Sequence, residues 1–491
     1  MNLAVVIRAT AGLCEVVKRH ATGTPTLVVG CDARYGSSEF ATATCRVASA
    51  AGVRVLALPQ ANPTPLTSFA VRHFGADAGV MVTASHNPAP DSGCKVYLGG
   101  SVFTGDRQGV QIVPPFDAEI AAAIEATPPA DQVPMNDDLV EAVDPRDEYV
   151  AEAVKLASGD AAARADLRIV LTAMHGVGAP LTSRVLEEAG FTHVSLVAAQ
   201  AEPDPDFPTV PFPNPEEAGA LDMAIEQARA EDADLIIAVD PDADRCALAV
   251  PDPAAEAGWR PLSGDQIGCL LGEFLASRGI QGSLANSIVS SRLLARIAHA
   301  HGLVHHTTLT GFKWIARAPE LAFGYEEAIG FCPNPAVARD KDGIASSVVA
   351  ASLFAALKTE ERTAWDELDR LAHAHGLHVT GPLTFRVEEI EQIATGMARL
   401  RAQPPSELAG SPVVEVSDLS EGYQGLPPTD GVLVLTKAGD RVIARPSGTE
   451  PKLKCYLEVI LPAPEGEPVP WDEAYERLER IKREFGQIIG L

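Results

Sequence analysis

After the apolar run LIIAV the chain reads Asp240-Pro241-Asp242-Ala243-Asp244-Arg245. Carboxylates at alternating positions of an extended loop can converge on one hard cation. Without a cation they repel one another and raise one another's pKa values. The plainer reading is a solvated acidic turn, which fits poorly with an apolar strand that delivers the loop to the end of a sheet. An EF-hand loop wants Gly at its sixth position and Glu at its twelfth, where this chain has Arg245 and Pro251. A phosphatase with an aspartyl nucleophile also opens D-x-D after a strand, which would put the attacking oxygen on Asp240. On these residues alone that alternative stays open.

Three further clusters carry candidate chemistry. The run GVMV leads into Thr83-Ala84-Ser85-His86-Asn87-Pro88, then Asp91-Ser92-Gly93-Cys94-Lys95. A Ser hydroxyl is a weak nucleophile unless a base or cation assists it, and His86 and Lys95 are the nearby candidates. A capped turn is the bland alternative. No GxSxG elbow is present. Arg445-Pro446-Ser447-Gly448-Thr449-Glu450-Pro451-Lys452 packs an Arg, two hydroxyls, a flexible Gly and a Lys into eight residues. Arg presents a fork of donors to phosphate, and backbone N–H groups in such a turn can form an anion nest. In Phe323-Gly324-Tyr325-Glu326-Glu327-Ala328-Ile329-Gly330, the adjacent carboxylates Glu326 and Glu327 can accept hydrogen bonds from sugar hydroxyls. A helix start with favourable Glu fits the same residues.

The elements that must position these clusters follow from the pattern around them. TLVVGCDARYGSS (Thr26 to Ser38), LRIVLTAMHGVGAP (Leu167 to Pro180) and LIIAVDPDADR (Leu235 to Arg245) each run from apolar strand to small or polar loop. With helical patterns between them, they predict parallel α/β layers covered on both faces. Beyond them, GVLVL, KAGD, RVIARPS and KLKCYLEVIL predict antiparallel strands, and WDEAYERLERIKREFGQII a closing amphipathic helix. At 491 residues with 46% hydrophobic content, the chain suits roughly three to four domains with sizeable cores. Boundaries are expected in the Pro-rich, acidic stretch Ala126 to Glu148 and near Gly376 to Gly381. Val250 to Asp265 reads equally as a boundary or as a hairpin loop. The first twenty residues predict an amphipathic helix rather than a secretory signal, and no apolar run reaches spanning length, so a cytoplasmic protein is expected. The eight cysteines form no CxxC pair and are expected as buried or partly buried free thiols. A formal net charge of −27 disfavours nucleic acid and anionic membrane as partners. It also repels phosphate esters, so a phosphorylated substrate needs the local cations noted above.

Together the four clusters resemble the α-D-phosphohexomutase family of phosphoglucomutases and phosphomannomutases. TASHNP is similar to its phosphoserine loop, DPDADR to its metal loop, GYEEAIG to its sugar-binding loop and RPSGTEPK to its phosphate-binding loop, in the family's order. The aspartyl-phosphatase alternative explains neither TASHNP nor RPSGTEPK. PDFPTVPFPNPEE (Pro205 to Glu217) and TLTGFKWIA (Thr308 to Ala316) look like the branch containing phosphopentomutases and bisphosphate-sugar synthases. The resemblance implies three related α/β domains with mixed, mostly parallel sheets and a C-terminal α+β domain around a central cleft. Their expected spans are 1–145, 146–262, 263–376 and 377–491. It implies one Mg²⁺ per chain, held by Asp240, Asp242, Asp244 and the phosphate on Ser85. It implies that Glu326 reads sugar hydroxyls and that Arg445, Ser447, Gly448 and Thr449 hold the non-reacting phosphate. Lys95 falls where the family has a lysine suited to proton transfer, and Arg34 matches a substrate-side cation of the first domain. Phe312 stands where some members carry His, which makes Lys313 the neighbouring candidate. The family usually opens with a GTAGLRG-like segment, and Met1-Asn2 resembles the point just after it. The expected activity is interconversion of the 1- and 6-phosphates of glucose or mannose through phospho-Ser85 and a bisphosphorylated sugar. Arg245 and the metal would offset charge on the moving group. Phosphopentomutase or sugar-bisphosphate synthase activity, and a non-catalytic binding module, are the alternatives.

Overall fold

Short β-branched runs alternating with helical stretches build two sheets in the first part of the chain. A computed structural model describes residues 1–387, 389–447 and 451–490, the side chains of Asp106 and Ile390 excepted. The chain forms two compact units, Met1–Ser283 with Phe312–Thr363, and Leu284–Gly311 with the chain from Ala364 onward.

In the first unit, strands β1 (Thr26–Cys31), β2 (Arg54–Ala57), β3 (Ala78–Val82), β4 (Cys94–Leu98), β5 (Val110–Gln111) and β6 (Val140–Ala142) make one sheet in the order β5-β4-β3-β1-β2-β6. The interior pairs β1 with β2 and β1 with β3 are parallel, and β4 turns back antiparallel on β3. Every residue of β3 is buried, as expected of a strand covered on both faces. The N-terminal helix Leu3–His20 is capped by Asn2 and buries Val6, Ile7, Leu13, Val16 and Val17, which confirms the amphipathic reading.

A second sheet contains β7 (Arg168–Thr172), β8 (His193–Leu196), β9 (Leu235–Val239), β10 (Cys246–Pro251) and β11 (Trp259–Pro261), in the order β11-β10-β9-β7-β8. β7 pairs in parallel with β8 and β9, while β9, β10 and β11 run antiparallel. Val250 to Asp265 is therefore a hairpin inside a sheet rather than a linker.

Helix Gly343–Thr359 is apolar on nearly all sides (IASSVVAASLFAAL) and buried almost throughout, as such a helix must be. Its N-cap Asp342 accepts from the Ala345 N–H at 2.8 Å. Gly343 lies against the loop that follows β9: a Cβ there would sit 2.2 Å from the Arg245 carbonyl oxygen. Gly343→Ala is therefore expected to destabilise the fold by about 2 kcal/mol through overpacking against rigid backbone. Urea denaturation measures it, and an unchanged midpoint would show that the loop can yield.

The second unit carries a six-stranded antiparallel sheet in the order Leu377–Arg386, Lys452–Leu461, Arg441–Pro446, Val432–Thr436, Ser411–Asp418, Glu407–Leu408. Helix Trp471–Ile489 buries Ala474, Leu478, Ile481, Phe485 and Ile489. The tail strands and closing helix match the sequence reading. The Gly376 to Gly381 stretch, read as a boundary, enters the first strand of this sheet. Wholly buried Glu458 ties the unit's two segments together. Its carboxylate accepts from Ser291 Oγ at 2.9 Å, Arg292 N–H at 2.8 Å and Arg292 Nε at 2.6 Å. Burial opposes its charge, but Arg441 and its other partners outweigh that and hold the carboxyl well below the usual range.

All eight cysteines are free, and seven are buried. Cys94, at the exposed start of β4, departs from the expected burial. Among the described residues, no helix is long and apolar enough to cross a membrane.

Candidate active site

Three strand ends of the first unit converge. Ser85 lies just beyond the carboxyl end of β3, in the left-handed region at φ 52°. Its N–H donates to Thr83 Oγ1 at 2.9 Å. Its hydroxyl donates to Asp240 Oδ2 at 3.1 Å and lies 3.2 Å from His86 Nδ1. Burial first, then Arg245 and Lys341, push the His86 pKa down to about 2. His86 is thus a neutral hydrogen-bonding partner of the serine at physiological pH.

The Asp240–Asp244 loop leaves the carboxyl end of β9 and returns as β10. Its turn is closed by Ala243 at φ 55°. The carboxylates of Asp240, Asp242 and Asp244 are fully buried, with one oxygen of each within 4.8 Å of the others. Asp240 Oδ1 accepts from the Arg245 N–H at 3.0 Å. Asp242 Oδ2 accepts from Thr64 Oγ1 at 2.5 Å and from Lys95 Nζ at 2.6 Å. Lys95 also donates to Asp244 Oδ2, which has Lys341 Nζ at 3.4 Å. Burial, then Asp242 and Asp244, raise the Asp240 pKa well above the carboxylate range. Burial opposes ionisation of Asp242 as well, yet Lys95 reverses it and the pKa is lowered. Burial also works against the Lys95 ammonium, and Asp242 and Asp244 outweigh it, so that pKa is raised.

Asp242 Oδ1 and Asp244 Oδ1 are buried and have no hydrogen-bond partner among the described residues. An orphaned buried carboxylate oxygen is costly. Two of them beside a third carboxylate and a serine hydroxyl form an all-oxygen donor set suited to a hard divalent cation. The residues present fit a metal ion.

The Glu326 hairpin is joined to this loop. Strand Leu321–Glu326 pairs antiparallel with Gly330–Cys332. Gly330 in turn forms a backbone bridge to Arg245, and the Cys246 N–H donates to the Ile329 carbonyl at 3.1 Å. Glu326 is 8% exposed, and its Oε1 lies 3.5 Å from Lys341 Nζ. Glu327 is half-buried in the turn. The Arg245 guanidinium lies 3.6 Å from Glu216.

The structure thus brings together Ser85, His86, Lys95, Asp240, Asp242, Asp244, Arg245 and Glu326. Arg34, expected as a substrate-side cation, is turned onto the serine loop. It is 5% exposed, and its fork donates to the carbonyls of Ser85 at 2.6 Å, Asn87 at 2.6 Å and Pro88 at 2.9 Å. Both terminal nitrogens are engaged on the loop backbone, and Nε faces Asp32 Oδ2 at 3.4 Å. Lys313 is half-buried on the short helix Phe312–Ile315, and no hydrogen bond or ion pair among the described residues joins its side chain to the trio. In the second unit, Arg445 lies one residue before the end of strand Arg441–Pro446, and the Ser447 N–H donates to the Lys452 carbonyl at 2.8 Å. Gly448 and Thr449 lie outside the described residues.

Two site residues escaped the sequence reading. Lys341 stands in Arg339-Asp340-Lys341-Asp342, a charged run immediately before the apolar helix Gly343–Thr359. All four of its residues are buried, so a charged run feeding a buried helix was the available signal. Thr64 lies in Asn62-Pro63-Thr64-Pro65, a turn with nothing to distinguish it in sequence.

Family models described as phosphoglucomutase/phosphomannomutase alpha/beta/alpha domains I, II and III match residues 1–130, 147–253 and 263–373, and the model of the C-terminal domain matches 357–466. The Haemophilus influenzae protein named "Probable phosphomannomutase" is 43% identical over 469 residues, covering 93% of this chain and 93% of that protein. The phosphoribomutase of Saccharomyces cerevisiae is 34% identical over 532 residues, covering 93% of this chain and 83% of that one. A phosphoglucomutase/phosphomannomutase family protein of Burkholderia thailandensis has the same fold, with a TM-score of 0.73 at 20% identity over 100% of this chain and 94% of that chain.

Proposed function

The chain belongs to the phosphoglucomutase/phosphomannomutase family, and on that premise we propose that Ser85 carries the phosphoryl group exchanged with a sugar phosphate. The enzyme is a phosphosugar mutase. Its proposed reaction interconverts hexose 1- and 6-phosphates, with glucose or mannose as the sugar, in the cytoplasm. The single observation that carries the reading is the 3.1 Å approach of the Ser85 hydroxyl to Asp240, at the edge of a buried trio with two orphaned oxygens.

A free hydroxyl of the substrate attacks the phosphorus of phospho-Ser85 as the P–Oγ bond breaks, and the hydroxyl's proton passes to the departing serine oxygen. The resulting bisphosphorylated sugar turns over and returns its other phosphoryl group to Ser85. Positioning and charge neutralisation dominate such a transfer. Mg²⁺, held by Asp240, Asp242, Asp244 and the serine phosphate, would neutralise phosphoryl oxygens when bound. Lys95 and Lys341 hold the trio's outer oxygens and limit its net charge. Arg245 supplies a guanidinium beside the same loop, and neutral His86 orients the serine oxygen. Glu326, with Glu327 next to it, accepts hydrogen bonds from the sugar hydroxyls. Arg445, Ser447, Gly448, Thr449 and Lys452 hold the phosphate that is not reacting, and Lys313 is a substrate contact. A net charge of −27 supports a small phosphosugar partner over nucleic acid or an anionic membrane.

The likeness of the Pro205 to Glu217 stretch to the pentomutase branch, and the yeast relative's name, favour a pentose as the second reading. Assaying glucose 1-phosphate, mannose 1-phosphate and ribose 1-phosphate side by side, with Mg²⁺ and a sugar bisphosphate, decides between them. A hexose is expected to exceed ribose in kcat/KM by at least about tenfold, roughly the worth of one well-placed hydroxyl contact. Faster turnover of ribose 1-phosphate would replace the hexose reading.

A further inference from the structure

The Ser85 turn is held from outside by Phe207, a residue of the Pro205 to Glu217 stretch with no role assigned so far. Asp204 to Pro213 is a proline-rich loop between β8 and β9. It is pinned to the segments that follow β7 and β8: Thr209 Oγ1 lies 2.8 Å from His175 Nε2 and accepts from Gln200 Nε2 at 2.8 Å. Phe207 projects from it, 5% exposed and itself at φ 48°. Its ring lies against the Arg34 guanidinium, 4.9 Å from Cζ to the ring centroid. Phe207 also belongs to an apolar cluster with Met174, Val210 and Ala220, against which Ala89 of the serine loop packs.

Arg34 joins the carbonyls of Ser85, Asn87 and Pro88. A lysine ammonium at this position could not reproduce the planar fork. The guanidinium needs a second face closed to water if those three bonds are to keep the turn, with Ser85 at φ 52°, in one geometry. Phe207 closes that face.

We infer that Phe207 is a positioning residue for the transfer: it fixes Arg34 on the serine-loop carbonyls, and so decides whether phospho-Ser85 gives its phosphoryl group to the sugar or to water. This rests on the phosphoserine reading. In the competing step a water oxygen bonds to phosphorus while the P–Oγ bond breaks. The water's proton passes to the serine oxygen, leaving inorganic phosphate and free Ser85. A loosened turn lowers the fraction of time the phosphoryl group faces the sugar hydroxyl and opens its far side to water.

The test compares Phe207→Leu, which fills the volume without a π face, with Phe207→Tyr, which restores one, and with Arg34→Lys. Steady-state kinetics, phosphoenzyme hydrolysis followed by release of inorganic phosphate, and thermal melting are read for each. Phe207→Leu and Arg34→Lys are expected to lower kcat about tenfold with KM within about twofold, and to speed phosphoenzyme hydrolysis by about tenfold, the scale of one desolvated cation–π contact. Phe207→Tyr is expected to stay within about threefold of the parent in both. The inference is overturned if Phe207→Leu matches the parent in kcat and hydrolysis. It is overturned equally if the loss follows only the fraction of unfolded protein, or if the Tyr variant is no better than the Leu variant. Ser85→Ala, run alongside, separates the two levels: an active Ser85→Ala variant sinks the phosphoserine reading itself. An inactive one beside a normal Phe207→Leu sinks only the role of Phe207.

Discussion

Ser85→Ala is expected to lower kcat by at least about 10⁴-fold, the scale on which enzymes lose activity when their nucleophile is removed. Alanine has no oxygen to receive the phosphoryl group, and no other described hydroxyl is hydrogen-bonded to Asp240. The fold loses little. The hydroxyl makes two hydrogen bonds, to Asp240 and His86, and the turn is held mainly through its carbonyls by Arg34. Circular dichroism and melting should match the parent. Incubation with a labelled sugar bisphosphate should label the parent on the peptide containing Ser85 and leave the variant blank. Label on an aspartate, or near-normal turnover in the variant, would return the mechanism to the aspartyl-nucleophile class.

Asp242→Asn is the second large effect, and its sign differs between stability and metal affinity. Asp242 is 0% exposed and faces Lys95 and Thr64, with Asp240 and Asp244 close by. Losing its charge removes one attraction to Lys95 but also two repulsions within the trio. Lys95 keeps Asp244 as a partner. The opposing terms leave a net change in stability within about 1 kcal/mol. Metal binding has no such compensation, since an amide oxygen is a neutral, weaker donor for a hard cation. Mg²⁺ affinity is expected to fall at least about 100-fold by calorimetric titration, and kcat at subsaturating metal about 10³-fold, of the order lost when one electrostatic stabiliser is deleted. A variant that binds Mg²⁺ as tightly as the parent would remove the trio from the metal site.

The trio was legible because its chemistry is local. Three carboxylates occupy alternating positions after an apolar strand, so one short stretch of chain presents them together. Ser85 was legible for the same reason, at the end of β3. Lys341 was not, and Phe207 only as part of its stretch, because each reaches the site through topology: one precedes a helix that threads the unit's interior, the other projects from a loop between two strands. Arg34 was legible as a cation of the first domain, but a buried arginine and a phosphate-binding arginine look alike in one dimension. Only the direction of its fork separates them. In the fold, the parallel runs were visible as unbroken apolar strands. Strand Leu377–Arg386 was not, since Gly381 and Pro382 interrupt its pattern. Proline is tolerated there because the strand lies at the edge of its sheet. The hairpin β10–β11 could not be told from a linker until its partner strand was known.

The backbone bridge between Arg245 and Gly330 has a consequence for how such an enzyme can change its sugar. On the proposed roles, the loop that would handle phosphorus and the turn that would read carbohydrate share one strut, so neither can be lengthened without dragging the other. The span from the cation seat to Glu326 therefore acts as a gauge of set length. Under that proposal, substrate preference would be free to drift through side-chain exchange at Glu326, Glu327 and Ala328. An inserted or deleted residue in that turn would cost chemistry before it altered choice.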